Sequence, residues 1–236
     1  MANILNSLSK VSRGDVVLSV RDIKKTFMEG GQPLHILRGG GFDLHRGEII
    51  ALVGQSGSGK STLLQCVGLL DRPSAGSILI GGIAAQKMDD EMRTAMRRDK
   101  IGFVYQRHNL LGDFTALENV VLPMLTRGVA EADANIRALK LLRAANVAHR
   151  ASHLPGEMSG GEQQRTAVAR ALANGPEILL ADEPTGSLDP AHAAAVFDLL
   201  LDLVRKNKMA MLFVTHDMNL AARADRTITI KDGIVQ

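Results

Sequence analysis

Residues 54–61 read Gly54-Gln55-Ser56-Gly57-Ser58-Gly59-Lys60-Ser61, and no other stretch constrains the fold as strongly. The stretch follows an apolar run at 49–53 and precedes a pattern typical of a helix. It matches G-x-x-x-x-G-K-[S/T], a loop whose glycines let backbone N–H groups approach phosphate oxygens while the helix N-terminus adds a favourable dipole. The setting between a strand and a helix favours a phosphate-binding loop over a glycine-rich turn without a ligand.

Two side chains at the end of this loop suit a nucleoside triphosphate. Lys60 is predicted to reach the β- and γ-phosphates, and the hydroxyl of Ser61 is predicted to ligate Mg²⁺. The loop therefore predicts a nucleoside triphosphate as the ligand and Mg²⁺ as its cofactor.

Two adjacent acids, Asp182 and Glu183, close an apolar run at 178–181. Acids at a strand end are often only a solvated edge. In a chain that also carries a phosphate loop, one carboxylate can bind Mg²⁺ and a second can position and deprotonate the attacking water. We predict the first role for Asp182 and the second for Glu183.

A histidine follows the next apolar run, at 211–214, after Thr215. A histidine at a strand end is often structural or solvated. Beside the features above, His216 is predicted to donate a hydrogen bond to the γ-phosphate.

The segment 154–165 reads LPGEMSGGEQQR. Ser159 and Glu162 form a capping box, so helix initiation is one interpretation. Gly160 and Gly161 also leave the first turn without side chains, which exposes N–H groups and a positive dipole end to an anion. A second phosphate-binding helix terminus makes sense if this helix of one subunit holds the γ-phosphate bound to another, so the segment predicts a dimer.

The three apolar runs suit strands buried on both faces of a parallel sheet, and helical patterns at 162–173 and 190–206 separate them. This alternation predicts an α/β fold. Short alternating segments at 16–44 and 77–80 predict an antiparallel sheet, and 109–155 predicts a helical insertion.

Composition narrows the class of protein further. The 236 residues suffice for one large domain, and 28 basic against 25 acidic residues, a net charge of +3, argue against a dedicated nucleic-acid binder. The single cysteine, Cys66, excludes an intramolecular disulfide, fits a reducing compartment and is predicted to be buried. Residues 1–14 lack a signal-peptide core, and no run approaches the ~20 apolar residues of a membrane span. A membrane role would thus require a partner.

Together these motifs resemble the ATPase domains of ABC transporters, and the resemblance covers nearly the whole chain from Val16 onward. The order and spacing match at the phosphate loop, Gln106, 158–162, Asp182-Glu183, 187–189 and His216. Within that family, 105–106, 114–120 and 122–123 are most similar to the ATPases that power lipoprotein release from the inner membrane of Gram-negative bacteria. Macrolide and peptide exporters and a cell-division ATPase share the general frame.

The resemblance implies an α/β P-loop NTPase (RecA-like) core with a mostly parallel sheet, an antiparallel β subdomain and an α-helical subdomain. The chain 1–236 would be one ABC ATPase domain. Its expected parts are 16–108 for the phosphate-loop half with the antiparallel subdomain, 109–158 for the helical subdomain and 159–236 for the second half of the core.

The resemblance also implies residue roles. Phe27 is expected to stack on adenine, Gln106 to touch Mg²⁺ and couple it to the membrane partner, and Ser159 and Gly161 to meet the γ-phosphate in trans. Asp189 is expected at the dimer seam or, alternatively, only as the N-cap before Pro190. The remaining nucleotide-binding residues expected are Gly54, Gln55, Ser56, Gly57, Ser58, Gly59, Lys60, Ser61, Thr62 and Gly160.

The implied activity is hydrolysis of ATP to ADP and phosphate, coupled to transport. The expected partners are a second ATPase subunit and integral membrane permeases that handle a lipoprotein, with no nucleic acid, at the cytoplasmic face of the inner membrane. The alternatives are a macrolide or peptide exporter, a soluble ABC ATPase of DNA repair or translation, and a P-loop kinase. The last is disfavoured by the second phosphate-binding helix and His216, and the repair and translation ATPases by the lack of long coiled coils or a tandem cassette.

Three positions depart from the family pattern. Phe27 replaces the commoner tyrosine at little cost, because stacking uses the ring face. Glu162 replaces glutamine, and a carboxylate near phosphate is unfavourable unless the helix N-terminus engages it. Gly39-Gly40-Gly41 replaces bulkier residues, which makes local order there an open question.

An apolar loop follows Gln106. Leu111 and Phe114 do not share a periodic core pattern. They either pack inside the helical part or line a groove that receives a short helix of the membrane subunit, a recurrent recognition mode.

Overall fold

A computed structural model describes residues 15–236 of the chain. The expectation about residues 1–14 falls outside that range. The strands are β1 (Val16–Glu29), β2 (Gln32–Gly40), β3 (Phe42–His45), β4 (Ile49–Val53), β5 (Ala75–Ile80), β6 (Ile83–Ala84), β7 (Ile101–Tyr105), β8 (Ile178–Asp182), β9 (Ala210–Val214), β10 (Arg226–Lys231) and β11 (Ile234–Val235). The helices are α1 (Lys60–Val67), α2 (Asp90–Lys100), α3 (Ala116–Thr126), α4 (Glu131–Ala144), α5 (Gly160–Ala171), α6 (Pro190–Lys206) and α7 (Met218–Ala221).

The described chain forms two compact units. The first unit comprises 15–93 with 208–236, and the second comprises 94–207. These bounds differ from the three segments expected from the sequence, which stay a prediction.

The first unit contains both kinds of strand pairing that the sequence predicts. β1 pairs antiparallel with β2, β3 and β5, whereas β4 lies between β9 and β10 in parallel register. β4 and β9 are buried along almost their whole length, which explains their near-continuous apolar sequences. The α/β fold and its antiparallel subdomain are confirmed.

The second unit is mostly helical around one parallel pair, β7 and β8. Its apolar core includes Val120 and Met124 of α3 and Ala138 and Leu142 of α4. The helical pattern at 109–155 is therefore confirmed. Ile136 of α4 lies outward, with about half of its surface (53%) exposed. The buried face of α4 instead carries alanines, whose small side chains let neighbouring helices approach closely.

The three consecutive glycines at 39–41 are ordered, because two of them lie against other strands. A Cβ on Gly40 would lie 2.0 Å from the carbonyl oxygen of Val235, and one on Gly41 would lie 2.1 Å from that of Val20. Gly40 also has a φ of 81°, in the left-handed region. Only glycine fits where β2 passes into β3 at this backbone separation, which answers the question left by the sequence.

A substitution at Gly40 should therefore destabilise the protein by more than the cost of placing a side chain on a left-handed backbone. Gly31 has a φ of 79° and nothing within 4 Å of an added Cβ, so it is a matched control. Gly31→Ala is expected to cost about 1 kcal/mol, and Gly40→Ala about 3 kcal/mol or more, because the second change adds a clash to the strain. Urea unfolding of both variants measures the difference. Equal losses would show that the contact with Val235 is easily relieved.

Cys66 is fully buried in α1, as predicted, and burial raises the pKa of its thiol to about 11. Within residues 15–236, no helix is both long enough and apolar enough to cross a membrane.

Candidate nucleotide-binding and hydrolysis residues

The phosphate loop joins β4 to α1 in the first unit. Its glycines take conformations that side chains disfavour, with φ of 154° at Gly54, 76° at Gly57 and 102° at Gly59. A Cβ on Gly59 would also lie 3.0 Å from the side chains of Ile36 and Leu37. The backbone therefore curls tightly at the start of α1, and residues 55–57 of the loop are exposed.

Lys60 is folded into this loop. Its side chain is largely buried, and Nζ donates hydrogen bonds to the carbonyl oxygens of Gly54 (2.9 Å) and Gln55 (2.8 Å). The loop carbonyls thus fix the position of the ammonium group, while the hydroxyl-bearing Ser61 beside it stays exposed. A cation held in a glycine-rich loop at a helix N-terminus is an arrangement that favours phosphate binding.

His216 lies at the same edge of the sheet as the loop. β9 pairs in parallel with β4, and the N–H of Thr215 donates to the carbonyl oxygen of Leu52 at 3.2 Å. β4 and β9 therefore end side by side. β4 continues into the phosphate loop, and β9 is followed by Thr215 and the exposed His216.

Phe27 lies in β1 with 39% of its surface exposed. Nζ of Lys25 lies 4.7 Å from the centroid of its ring, a cation–π contact, and also bonds Asp71 at 2.7 Å. Lys25 thus supports the ring without burying it.

The second unit brings Gln106, Asp182 and Glu183 together. Tyr105 pairs with Asp182 across β7 and β8, so Gln106 and Glu183 follow neighbouring strand ends. A Cβ on Gly186 would lie 3.0 Å from Nε2 of Gln106 and 3.1 Å from Oε2 of Glu183, so both side chains converge on that glycine.

The backbone at Glu183 is itself unusual. Its φ is 44°, a left-handed conformation that costs energy for any residue except glycine and that often occurs at functional sites. The carbonyl oxygen of Glu183 accepts a hydrogen bond from the N–H of Gly186 at 2.9 Å. This turn redirects the chain immediately after β8 and aims the Glu183 side chain toward Gln106.

The predicted capping box opens α5. Oγ of Ser159 accepts from the N–H of Glu162 at 3.3 Å, and Oε2 of Glu162 accepts from the N–H of Ser159 at 2.8 Å. Gly160 is exposed, and Gly161 packs against the ring of His192. The first two residues of α5 therefore carry no side chain, and the first side chain of its opening turn is that of Glu162.

The carboxylate of Glu162 is held by more than the capping box. Its Oε1 accepts from Nε of Arg150 at 2.7 Å and lies 3.2 Å from Nε2 of His149. These contacts, Arg150 first and the N–H of Ser159 next, lower the pKa of Glu162 to about 2. The carboxylate is therefore ionised at neutral pH. It is bonded to the helix N-terminus through the N–H of Ser159, which is the condition that the sequence analysis set for a carboxylate at this position.

Gln164 is a connecting residue that the sequence analysis missed. It is fully buried, and Nε2 donates to the carbonyl oxygens of Tyr105 (3.0 Å) and Pro184 (2.6 Å). It therefore ties α5 to the ends of both β7 and β8. Its position three residues after Gly161 and four before Val168, on the buried face of α5, is the sequence signal that could have identified it.

Asp189 is the N-cap of α6. Its carboxylate accepts from the N–H of His192 (3.3 Å) and contacts Nδ1 of the same residue (2.7 Å). The backbone bond, followed by the side-chain bond, lowers the pKa of Asp189. The carboxylate is exposed, and its role at a dimer seam stays a prediction.

The loop after Gln106 is organised by Asn119, a buried residue of α3. Nδ2 of Asn119 donates to the carbonyl oxygens of Leu111 (3.1 Å), Phe114 (2.9 Å) and Thr115 (3.0 Å), and Oδ1 accepts from the N–H of Leu111 (2.9 Å). The loop is thus rigid while the side chains of Leu111 and Phe114 stay 43% and 39% exposed. Neither side chain is core.

Comparison with known proteins identifies the family. The family described as ABC transporter matches residues 37–186, more than half of the chain. The chain belongs to the ABC transporter family. This ABC ATPase is also 52% identical over 226 residues to the lipoprotein-releasing system ATP-binding protein LolD of Gluconobacter oxydans, covering 96% of the chain and 98% of the relative.

Two further similarities extend this result. The ABC ATPase is 50% identical to LolD of Novosphingobium aromaticivorans, over 94% of the chain and 99% of the relative. It also superposes on the dimeric ATP-binding cassette MJ0796 in a post-hydrolysis state bound to ADP and Pi, with a TM-score of 0.86 and 40% identity, over 93% of the chain and 96% of that structure. The resemblance to the ABC ATPase family drawn from the sequence motifs is confirmed, and so is the ABC ATPase fold.

Proposed function

We propose that this ABC ATPase is the ATP-binding and ATP-hydrolysing subunit of a transporter that releases lipoproteins from the inner membrane. The observation that carries the proposal is a sequence identity of 50–52% to two LolD proteins over nearly the whole chain. The phosphate loop and the bare N-terminus of α5 supply the two phosphate-binding elements that such a subunit requires.

The proposed residue roles are given for each unit by itself. In the first unit, the loop 54–61 with Thr62 binds the phosphates, Lys60 neutralises their charge and Phe27 stacks on adenine. His216 donates a hydrogen bond to the γ-phosphate as charge develops there.

In the second unit, Glu183 orients the attacking water and accepts its proton. The side chains of Gln106 and Glu183 converge on Gly186. Gln106 is therefore placed to respond to the presence of the γ-phosphate and its Mg²⁺ and to pass that response to the membrane partner. A general base at this position contributes about 10²–10⁴-fold to turnover.

The oxygen ligands that the chain offers suit Mg²⁺. Among the described residues, no group of three or more His, Cys, Asp or Glu side chains could hold an ion. Mg²⁺ instead prefers few protein oxygens together with phosphate oxygens and water, and Ser61, Gln106 and Asp182 offer a hydroxyl, an amide and a carboxylate. When bound, the ion neutralises phosphate charge.

The functional unit is a homodimer in which two subunits pair head to tail. Ser159, Gly160 and Gly161 of one subunit meet the γ-phosphate bound by the other, and Asp189 lies at the seam. Support comes from the two glycines that open α5, because they leave backbone N–H groups at the helix N-terminus without side chains in front of them. A chain that binds ATP with its own phosphate loop would use a second phosphate-binding terminus only on the nucleotide of another subunit. ATP closes the dimer, and hydrolysis opens it.

The dimer works beneath integral membrane permeases of the LolC/LolE type, at the cytoplasmic face of the inner membrane, and these partners handle the lipoprotein. The exposed Leu111 and Phe114, on a loop held rigid by Asn119, provide an apolar anchor for a short permease helix. Gln106 lies just before this loop in the chain, so nucleotide state and docking share one segment.

Co-purification tests the transporter assignment. The tagged full chain, expressed in a Gram-negative host with its native membrane proteins, should carry two permease-type proteins through detergent extraction. The purified complex in proteoliposomes should then release a lipoprotein to a soluble acceptor only when ATP is supplied. Recovery of a macrolide or peptide exporter, or of no membrane protein at all, would contradict the proposal.

The docking role of the loop predicts a selective defect in Phe114→Ala. Removing a half-exposed aromatic side chain should leave the melting temperature of the isolated subunit nearly unchanged. Its ATPase rate should stay within about twofold of that of the unmodified subunit. Assembly with the permeases should weaken about tenfold or more, because burying this ring contributes about 2 kcal/mol.

Ile136→Ala removes an apolar side chain that is also exposed in the second unit, and it serves as the control. Pull-down titration of both variants against the permeases measures the difference. Equal assembly by the two variants would place Phe114 outside the interface.

A further inference from the structure

The N-terminus of α5 contains a charge that opposes its proposed use. A phosphate-binding terminus favours anions, yet Glu162 stands in its first turn and carries a full negative charge at neutral pH. One of its oxygens is occupied by the N–H of Ser159, a residue that the proposed function assigns to the γ-phosphate. The γ-phosphate would therefore approach a carboxylate of the same sign.

The structure supplies one permanently charged group against this carboxylate. Nε of Arg150 lies 2.7 Å from Oε1 of Glu162, and a guanidinium stays protonated at any physiological pH. The same arginine reaches Nε2 of His153 at 3.1 Å through its Nη1. Arg150 is thus held on both sides, in the short 3-10 turn Ala148–Arg150 that precedes α5 by ten residues.

We propose that Arg150 is a positioning residue for ATP hydrolysis, which holds Glu162 in the capping box and cancels its charge where the partner subunit's γ-phosphate binds. The inference rests on the proposed function of α5. Its consequence is that Arg150 matters because Glu162 is charged. A residue that only braced the turn would matter whether position 162 carried a charge or not.

Glu162→Gln separates the two roles. Glutamine at this position preserves the capping box, because its amide oxygen still accepts from the N–H of Ser159, and it removes the charge. Arg150→Ala should leave an uncompensated carboxylate beside the phosphate. In the double variant Arg150→Ala/Glu162→Gln that repulsion is absent.

The experiment measures steady-state ATP hydrolysis and ATP-driven dimerisation by light scattering with the full chain. Arg150→Ala is expected to raise the KM for ATP about tenfold, from a charge repulsion at a partly exposed site. The double variant should return to within about threefold of Glu162→Gln measured alone. Arg150→Lys should recover most of the loss, because it restores the charge. Affinity for ADP should be the same in every variant, since ADP lacks the γ-phosphate.

Arg137→Ala is the matched control, because it removes the same charge from an exposed position of α4. Melting temperatures identify any loss that comes from unfolding. If the double variant is as defective as Arg150→Ala while both remain folded, or if ADP affinity falls as far as ATP affinity, Arg150 acts as a structural brace and the inference is wrong.

Failure of the proposed function gives a different result. Ser159→Arg then leaves ATP-driven dimerisation intact, which shows that α5 does not meet the nucleotide at all. With Ser159→Arg defective and the charge rescue absent, only the role of Arg150 is overturned.

Discussion

Glu183→Gln is expected to lower the rate of ATP hydrolysis by about 100-fold or more while ATP still binds. The substitution preserves the size of the side chain and its approach to Gly186, but an amide cannot accept the proton of the attacking water. The ATP-bound dimer should therefore accumulate, because the step that opens it is blocked. Single-turnover hydrolysis with labelled ATP, together with light scattering to follow the dimer, measures both effects.

Lys60→Ala provides the contrasting variant. Loss of the ammonium that the loop carbonyls hold in place should weaken ATP binding itself, and no dimer should form. Near-normal turnover in Glu183→Gln would remove Glu183 from the role of essential base. ATP affinity in Lys60→Ala equal to that of the unmodified chain would overturn the phosphate-loop assignment.

Ser159→Arg is expected to abolish hydrolysis without unfolding the protein. The arginine would fill the space in front of the exposed first turn of α5, while the rest of the helix keeps its backbone bonds. The cap contributes about 1 kcal/mol, so its loss alone leaves a folded chain. Circular dichroism and melting establish folding, and phosphate release gives the activity.

Mixing Ser159→Arg with Lys60→Ala tests whether the two elements act in trans. Each heterodimer of the head-to-tail type contains one site with an intact phosphate loop and an intact α5 terminus. Random mixing makes half of the dimers heterodimers with one working site of two, so about a quarter of the unmodified activity should return.

Ser152→Arg, which places an arginine at another exposed serine of the second unit, should remain active by itself. Heterodimers demonstrated by differential tags but without any returned activity would exclude a shared site.

Adjacent residues were enough to predict the local features of this protein. The phosphate loop requires glycines at fixed spacing, the capping box requires residues three positions apart, and a buried strand requires a short apolar run. In each case the physical cause lies within one turn or one strand, so the order of residues alone specifies it. The combination of these motifs is specific enough to indicate the family without any tertiary contact.

Contacts between distant residues decided the rest. Arg150 reaches Glu162 across 12 residues, and Gln164 reaches the carbonyl oxygen of Tyr105 across 59. Neither pairing has a sequence period, because the folded backbone alone brings the partners within hydrogen-bond distance.

The glycines at 39–41 are the clearest instance. Their sequence left local order open, whereas the carbonyl oxygens of Val20 and Val235, supplied by two other strands, leave no room for a Cβ. The sequence by itself determined the fold class and the kinds of chemistry available. Only the tertiary structure decided which charge faces which partner, since that depends on the separation of atoms far apart along the chain.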